Sequence, residues 1–218
     1  MLPEGVTDEA GACLGIPVMT VHRCVFADGP VAGQTFLITG DAGRVGHYTI
    51  QWVSHAGARV IAAASNDENG QACTEPGADA IVNHREEGWS TGVLAVNDGQ
   101  PVDRVIEVEF GANLPEVLKL LGAGSTIATY SSTQVPQPKL PFYRMMYQDL
   151  RARFVIVYVY VYAMPEKAKQ QAIGDIDEAS RAGRLQNRVA HMLGLSEIAK
   201  AHALIEDGGF RGCVVVRP

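Results

Sequence analysis

No two cysteines of this chain stand at metal-ligand or redox spacing: Cys13, Cys24, Cys73 and Cys213 are scattered, with no C-x-x-C pair and no H-E-x-x-H. Structural zinc is therefore not expected, and each cysteine reads as a small core or surface residue. No positioned base can be named beside any of them, so none is a candidate nucleophile. The six histidines take the same plain reading. Basic charge is also short. Eighteen Lys and Arg face 24 Asp and Glu, for a net charge of −6 with no basic tail or patch, which argues against nucleic acid as the primary partner. Long apolar runs are missing. The longest, Phe154 to Met164, is too short to span a bilayer, so no membrane partner is expected. The first residues lack a basic n-region followed by an apolar h-region, and the expected location is cytoplasmic.

What is present is a globular composition, 47% hydrophobic and 19% charged over 218 residues, enough for one large domain or one domain plus an appendage. The most informative stretch runs from Thr35 to Gly46, where the apolar run Phe36-Leu37-Ile38 feeds a turn with glycines at 40, 43 and 46. A continuous apolar run is the mark of a buried parallel strand. Glycines after it let the backbone approach a pyrophosphate, while the helix that follows offers unpaired N–H groups to the anion. The spacing is G-x-x-G-x-x-G and not G-x-G-x-x-G, so the triplet alone equally describes an ordinary α/β turn. Context favours the phosphate cradle: Val45, Ile50 and Val53 have helical spacing, and Arg59 to Ala64 is a second buried run.

The rest of the chain alternates in the same manner. Thr7 to Leu14 and Val18 to Phe26 read as helical, interrupted at Pro17. A short helix near Glu68 to Glu75 stops at Pro76-Gly77, and strands follow at Asp79 to Val82 and Val102 to Val108. Leu114 to Leu121 reads as a helix and Ser125 to Tyr130 as a fifth strand. The expected fold class is α/β, a doubly wound parallel sheet. Ser131 to Pro141 reads as an exposed loop past a strand's carboxyl end, where open α/β sheets bind ligands. Phe154 to Tyr162 reads as a long strand with valines on one face and tyrosines on the other, either internal or at a sheet edge. A helix from Pro165 to about Ala182 with Gly183 as its stop, a Ser196-capped helix to Glu206, and a strand from Cys213 to Val216 complete the chain.

Taken in order, GACLGIP (11–17) with Thr20, GDAGRVG (40–46), VNHREE (82–87), DRVIEVEFGANLPEVLKLL (103–121) and AHALIEDG (201–208) resemble the quinone oxidoreductase, zeta-crystallin-like branch of the zinc-free medium-chain dehydrogenase/reductases. The resemblance implies a Rossmann-type cofactor domain over residues 31–185, preceded by a helical lead-in over 1–30. A C-terminal segment over 186–218 would belong to the catalytic domain, most of whose N-terminal, GroES-like part would be absent.

Carried over residue by residue, the resemblance sets Gly40, Ala42, Gly43, Arg44, Val45 and Gly46 around the pyrophosphate, and Thr20, Tyr130, Ser131 and Ser132 near the nicotinamide. Ser65, Asn66 and Asn69 would surround the adenosine ribose, with His84 on the adenine side. Arg44 replaces a usual glycine, and Asp41 puts a carboxylate in the loop, which repels phosphate unless it faces solvent. At the end of the second strand Ala64-Ser65-Asn66 offers no acid for the ribose hydroxyls, which tilts the cofactor toward NADPH, with NADH the alternative since Asp67 and Glu68 are close. The position where zinc-dependent relatives place a metal ligand reads Ile16, so no metal is expected. Tyr130 reads either as lining the substrate cleft or as a half-buried aromatic at a strand end.

The implied function is hydride transfer from NADPH to a quinone. An enoyl-thioester or enone reductase on the same fold and a non-catalytic nucleotide-binding protein are the alternatives. No catalytic acid or base is identified. A homodimer through the strand 154–162 is also expected.

Overall fold

The strands of the sheet carry apolar residues on both faces, so both faces need cover. The computed structural model describes residues 2, 5–40, 43–156 and 163–218. Among these, β1 (Thr35–Thr39), β2 (Arg59–Ala64), β3 (Ala80–Asn83), β4 (Val102–Glu107), β5 (Leu121–Thr129) and β6 (Arg151–Phe154) form one parallel sheet in the order β3-β2-β1-β4-β5-β6. Side chains alternate across it. Phe36, Ile38, Val60, Ala62 and Ile106 enter one core, and Leu37, Ile61, Ala63, Val105 and Ile127 enter the other.

The first core is covered by α1 (Asp8–Phe26), α2 (Arg44–His55), α3 (Asp67–Thr74) and α7 (Glu166–Arg181), through Val18, Val21, Tyr48, Ile50, Cys73 and Ala179. The second is covered by α4 (Trp89–Val96) and α5 (Phe110–Leu120), through Trp89, Val93, Leu114, Val117 and Leu118. The sheet is therefore doubly wound, as the sequence predicts. A buried arginine fastens the helical lead-in to it: Arg104 of β4 donates to the carbonyls of Val25, Asp28 and Pro30 at 2.9, 3.0 and 2.7 Å. A short helix, α6 (Phe142–Tyr147), precedes β6. Beyond α7, β7 (Val189–Gly194) and β8 (Cys213–Arg217) form a separate parallel pair, connected by a 3-10 turn (Leu195–Glu197) and α8 (Ile198–Asp207).

Several boundaries differ from the sequence reading. The α1 break falls at Gly15 (φ −33°, ψ −109°), two residues before Pro17, because proline disfavours helical geometry just upstream and glycine absorbs the distortion. Helix α5 starts at Phe110, not Leu114, and carries Pro115 inside it. Helix α4, helix α6 and strand β7 were not anticipated. Ser196 is not a helix cap: it lies in the 3-10 turn, and the Glu197 carboxylate accepts from the Gly194 N–H at 3.2 Å.

The expected strand Phe154 to Tyr162 is corrected to Arg151–Phe154. Val155 adds one further bond, to the Thr129 carbonyl at 2.7 Å, but neither it nor Ile156 is in a strand, and residues 157–162 lie outside the described residues. The strand stops early because its pairing follows the length of β5, which ends at Thr129, and not the valine pattern. β6 does form the sheet edge. No helix among the described residues is long and apolar enough to cross a membrane.

Candidate functional site

The strand order reverses between β1 and β4, and the crevice beyond their carboxyl ends is where a doubly wound sheet takes its ligand. The turn leaving β1 is built for close approach. Gly40 has φ +63°, and a Cβ there would sit 2.5 Å from Val108 Cγ1, so a side chain is excluded on two counts. Gly43 donates to the Gly40 carbonyl at 3.0 Å and caps α2 with no side-chain acceptor. No acidic residue stands in the first turn of α2, so the positive end of its dipole is left to an incoming anion. Arg44 is exposed at the first helical position, Val45 is half-buried, and Gly46 is buried, consistent with close helix packing. Ala42 and Asp41 lie outside the described residues.

Beneath the cradle, a carboxylate that the sequence reading did not single out joins the two strands at the reversal. Glu107, 1% exposed at the end of β4, accepts through one oxygen from Thr39 Oγ1 at 2.7 Å, the Glu109 N–H at 2.7 Å and Asn113 Nδ2 at 2.8 Å. Thr39 Oγ1 in turn accepts from the Val108 N–H at 3.0 Å. The second Glu107 oxygen is buried without a partner, and burial pushes the carboxyl pKa above its usual value despite these donors. The signal in the sequence was an acid closing an apolar strand.

At the end of β2, Asn66 caps α3 by accepting from the Asn69 N–H at 2.9 Å. Asn69 Nδ2 donates to Ser65 Oγ at 2.8 Å, and Arg211, just before β8, donates to Asn69 Oδ1 at 2.8 Å and Glu68 Oε1 at 2.7 Å. His84, half-buried after β3, makes a 2.7 Å hydrogen bond between Nδ1 and the Ala63 carbonyl.

At the opposite side, Tyr130, Ser131 and Ser132 line a cavity of about 290 Å³ with Phe110, Pro136, Pro138 and Phe154 to Ile156. Its shape is held by the loop's own bonds. Ser132 Oγ accepts from the Gly111 N–H at 2.9 Å and donates to the Val135 carbonyl at 2.6 Å, and Glu109 accepts from the Thr133 and Gln134 N–H groups, both at 3.0 Å. The expected residues thus gather along the carboxyl edge of the sheet. Thr20 is different: it is buried in α1, where its hydroxyl donates to the Ile16 carbonyl at 2.8 Å.

A fourth cluster flanks the α2 N-terminus. His47 forms a 2.9 Å hydrogen bond through Nε2 to the Gln186 carbonyl, while its buried Nδ1 has no partner. Burial, with Arg188 nearby, pushes its pKa down to about 4, so the ring is neutral and Nε2 is the donor. Tyr48 donates to Asn187 Oδ1 at 2.6 Å. These bonds lay the C-terminal segment against α2.

The profile of the family described as zinc-binding dehydrogenase matches residues 45–173. A quinone oxidoreductase of Pongo abelii is 25% identical over 219 residues, covering 99% of this chain and 64% of that protein. A 2-haloacrylate reductase of Burkholderia sp is 25% identical over 191 residues, covering 85% of this chain and 56% of the relative. The crystal structure of Escherichia coli quinone oxidoreductase complexed with NADPH superposes with a TM-score of 0.88 at 18% identity, over 100% of this chain and 68% of that one, which is a likeness of fold. The chain therefore spans less than two thirds of the length of these curated relatives. Among the described residues no group of three or more His, Cys, Asp or Glu is placed to hold a metal. With its doubly wound sheet, its glycine turn at the strand reversal and a family match over more than half its length, this chain belongs to the zinc-binding dehydrogenase family of medium-chain dehydrogenase/reductase oxidoreductases.

Proposed function

We propose that this chain is the cofactor-binding part of a zinc-independent NADPH:quinone oxidoreductase. The observation that carries the reading is the α2 N-terminus, uncapped by any side chain among the described residues and approached through a turn that only glycine can make, at the strand reversal. The residues fit the dinucleotide: the Gly40 and Gly43 backbone leaves room for a pyrophosphate, and the N–H groups of the first α2 turn supply its donors. Bound NADPH would supply the hydride, a two-electron reductant delivered to the substrate.

The protein's part is positioning. Thr39, Glu107 and Asn113 lock β1 to β4 under the cradle, and the Glu109-braced loop holds Tyr130 to Ser132 at the mouth of the apolar cavity. Phe110, Phe154 and the two prolines give that cavity an apolar wall suited to a flat apolar acceptor. A 2-haloacrylate reductase among the relatives supports the second reading, reduction of an activated carbon–carbon double bond in the same cleft. In either case the other wall of the cleft would come from the catalytic domain. The β6 edge is where a second copy would pair, and light scattering at micromolar concentration tests that dimer: a monomer refutes it.

Calorimetric titration of the purified chain with NADPH and then NADH tests the reading. Saturable binding, abolished in a folded Gly43→Trp variant, is the expected result. Binding unaffected by that substitution would remove the cradle from the site. Assays of the longer parent enzyme with quinones and with enoyl thioesters separate the two substrate classes.

A further inference from the structure

The carboxyl end of β2 is where a dinucleotide fold distinguishes a ribose 2′-hydroxyl from a 2′-phosphate, by an acid for the former or a nearby arginine for the latter. In this chain Ala64, Ser65 and Asn66 supply neither. The structure fills the gap from far along the chain. Arg211 places one guanidinium nitrogen 2.8 Å from Asn69 Oδ1, and the same amide holds Ser65 Oγ through Nδ2 at 2.8 Å. The cation therefore stands one amide group away from the first hydroxyl after β2.

Its placement is fixed by backbone. Gly212 has φ +117°, and a Cβ there would lie 2.6 Å from the Arg188 carbonyl oxygen, the same oxygen that accepts from the Cys213 N–H at 2.7 Å. Arg188 donates to the Ala72 carbonyl at 2.8 Å near the end of α3, with Glu75 3.5 Å away. Arg188 and Arg211 thus hold the C-terminal segment along α3, one at each end. Arg211 is two-thirds buried, whereas its acidic partner Glu68 has a side chain 77% exposed and is free to swing into solvent.

We propose that Arg211 is the residue that selects NADPH, by pairing with the adenosine 2′-phosphate, and that Glu68 is the resident counter-charge which the phosphate displaces. The inference rests on the cradle being a nicotinamide-dinucleotide site. A planar guanidinium pairs two-pronged with a phosphate, a geometry that a bare ribose hydroxyl does not offer. The Glu68 carboxylate repels the same phosphate, so it sets how strong the preference is.

The test is calorimetric titration of the wild-type chain, Arg211→Met and Glu68→Gln with NADPH, NADH and adenosine 2′,5′-bisphosphate, with circular dichroism verifying each fold. Arg211→Met, which keeps the apolar stem, is expected to weaken NADPH and the bisphosphate by about tenfold or more, the loss of one charged hydrogen-bonded pair, and to leave NADH unchanged. Glu68→Gln is expected to tighten NADPH alone, with an effect that fades at high salt. An equal loss for NADPH and NADH in Arg211→Met would make Arg211 a structural clamp and overturn the proposal while leaving the cradle intact. Unchanged NADPH binding in that variant would overturn it too. A folded wild-type chain that binds none of the three ligands overturns the cradle reading, and the proposal with it.

Discussion

Protonating His47 should destabilise this fold, and the size of the effect follows from its surroundings. The imidazole is 6% exposed, its Nε2 is committed to the Gln186 carbonyl, its Nδ1 has no acceptor for a second proton, and Arg188 stands near enough to oppose added charge. The bond to the Gln186 carbonyl and, less strongly, Glu75 act in the opposite direction, but burial and Arg188 outweigh them and the pKa falls from 6.5 to about 4. Because the folded-state value is below the unfolded one, the unfolded chain takes up the proton first as acid is added. The stabilisation is therefore complete above pH 6.5 and is lost progressively as the pH falls toward 4. Between pH 7.5 and 5.0 this single group should cost about 2 kcal/mol, from about 1.4 kcal/mol per pH unit over the part of the window below the unfolded pKa. The assay is urea unfolding at the two pH values for the wild-type chain and for His47→Gln, which retains an amide donor for the Gln186 carbonyl. The wild type should lose about 2 kcal/mol more than the variant over that interval. Equal losses would refute the reasoning, because every other titrating group is common to both proteins.

Two further substitutions probe the scaffold under the site. Gly40→Ala forces a Cβ into left-handed backbone against Val108, and the backbone alone should cost about 1–2 kcal/mol, lowering the melting temperature by several degrees in a thermal scan; an unchanged midpoint would contradict the positive φ. Arg104→Met leaves the Val25, Asp28 and Pro30 carbonyls without their donor and should cost about 3 kcal/mol in urea, while Arg104→Lys, a single point charge, should recover only part of it.

The cofactor half of the fold was legible where burial dominates. Arg59–Ala64 was readable to the residue because a strand covered on both faces has a continuous apolar sequence, and the glycine turn was readable because positive φ and close approach leave so few residue choices. Legibility failed where structure depends on distant partners. β6 carries two arginines, Arg151 and Arg153, in its four residues, and Arg153 is held there by a two-pronged ion pair with Asp28, more than a hundred residues earlier. The valine and tyrosine alternation after it runs on through residues 157–162, which lie outside the described residues, whereas the segment that pairs with β5 carries no such pattern. The α4 segment follows a left-handed Gly88 in place of a capping side chain and has only Ser90 and Thr91 as polar residues, so it has neither a capping signal nor a clear polar face. At the candidate site, Glu107 gains its meaning from Thr39 across the strand reversal, and Arg211 from Asn69 at a separation of 142 residues, so neither stands out in its local sequence.

That separation has a consequence for how the protein is made. Synthesis runs from the N-terminus, and domains begin to organise as their residues emerge. The paired strands, the glycine turn and the Glu107 buttress lie within residues 35–154, whereas the clamp on α3 draws on residues 188 and 211 and so closes only after these have been added. A nascent chain released from the tunnel only as far as β6 would carry the glycine turn without the guanidinium that stands beside Asn69. If Arg211 selects the cofactor as proposed, that selection would arise only once residues 188 and 211 have docked on α3.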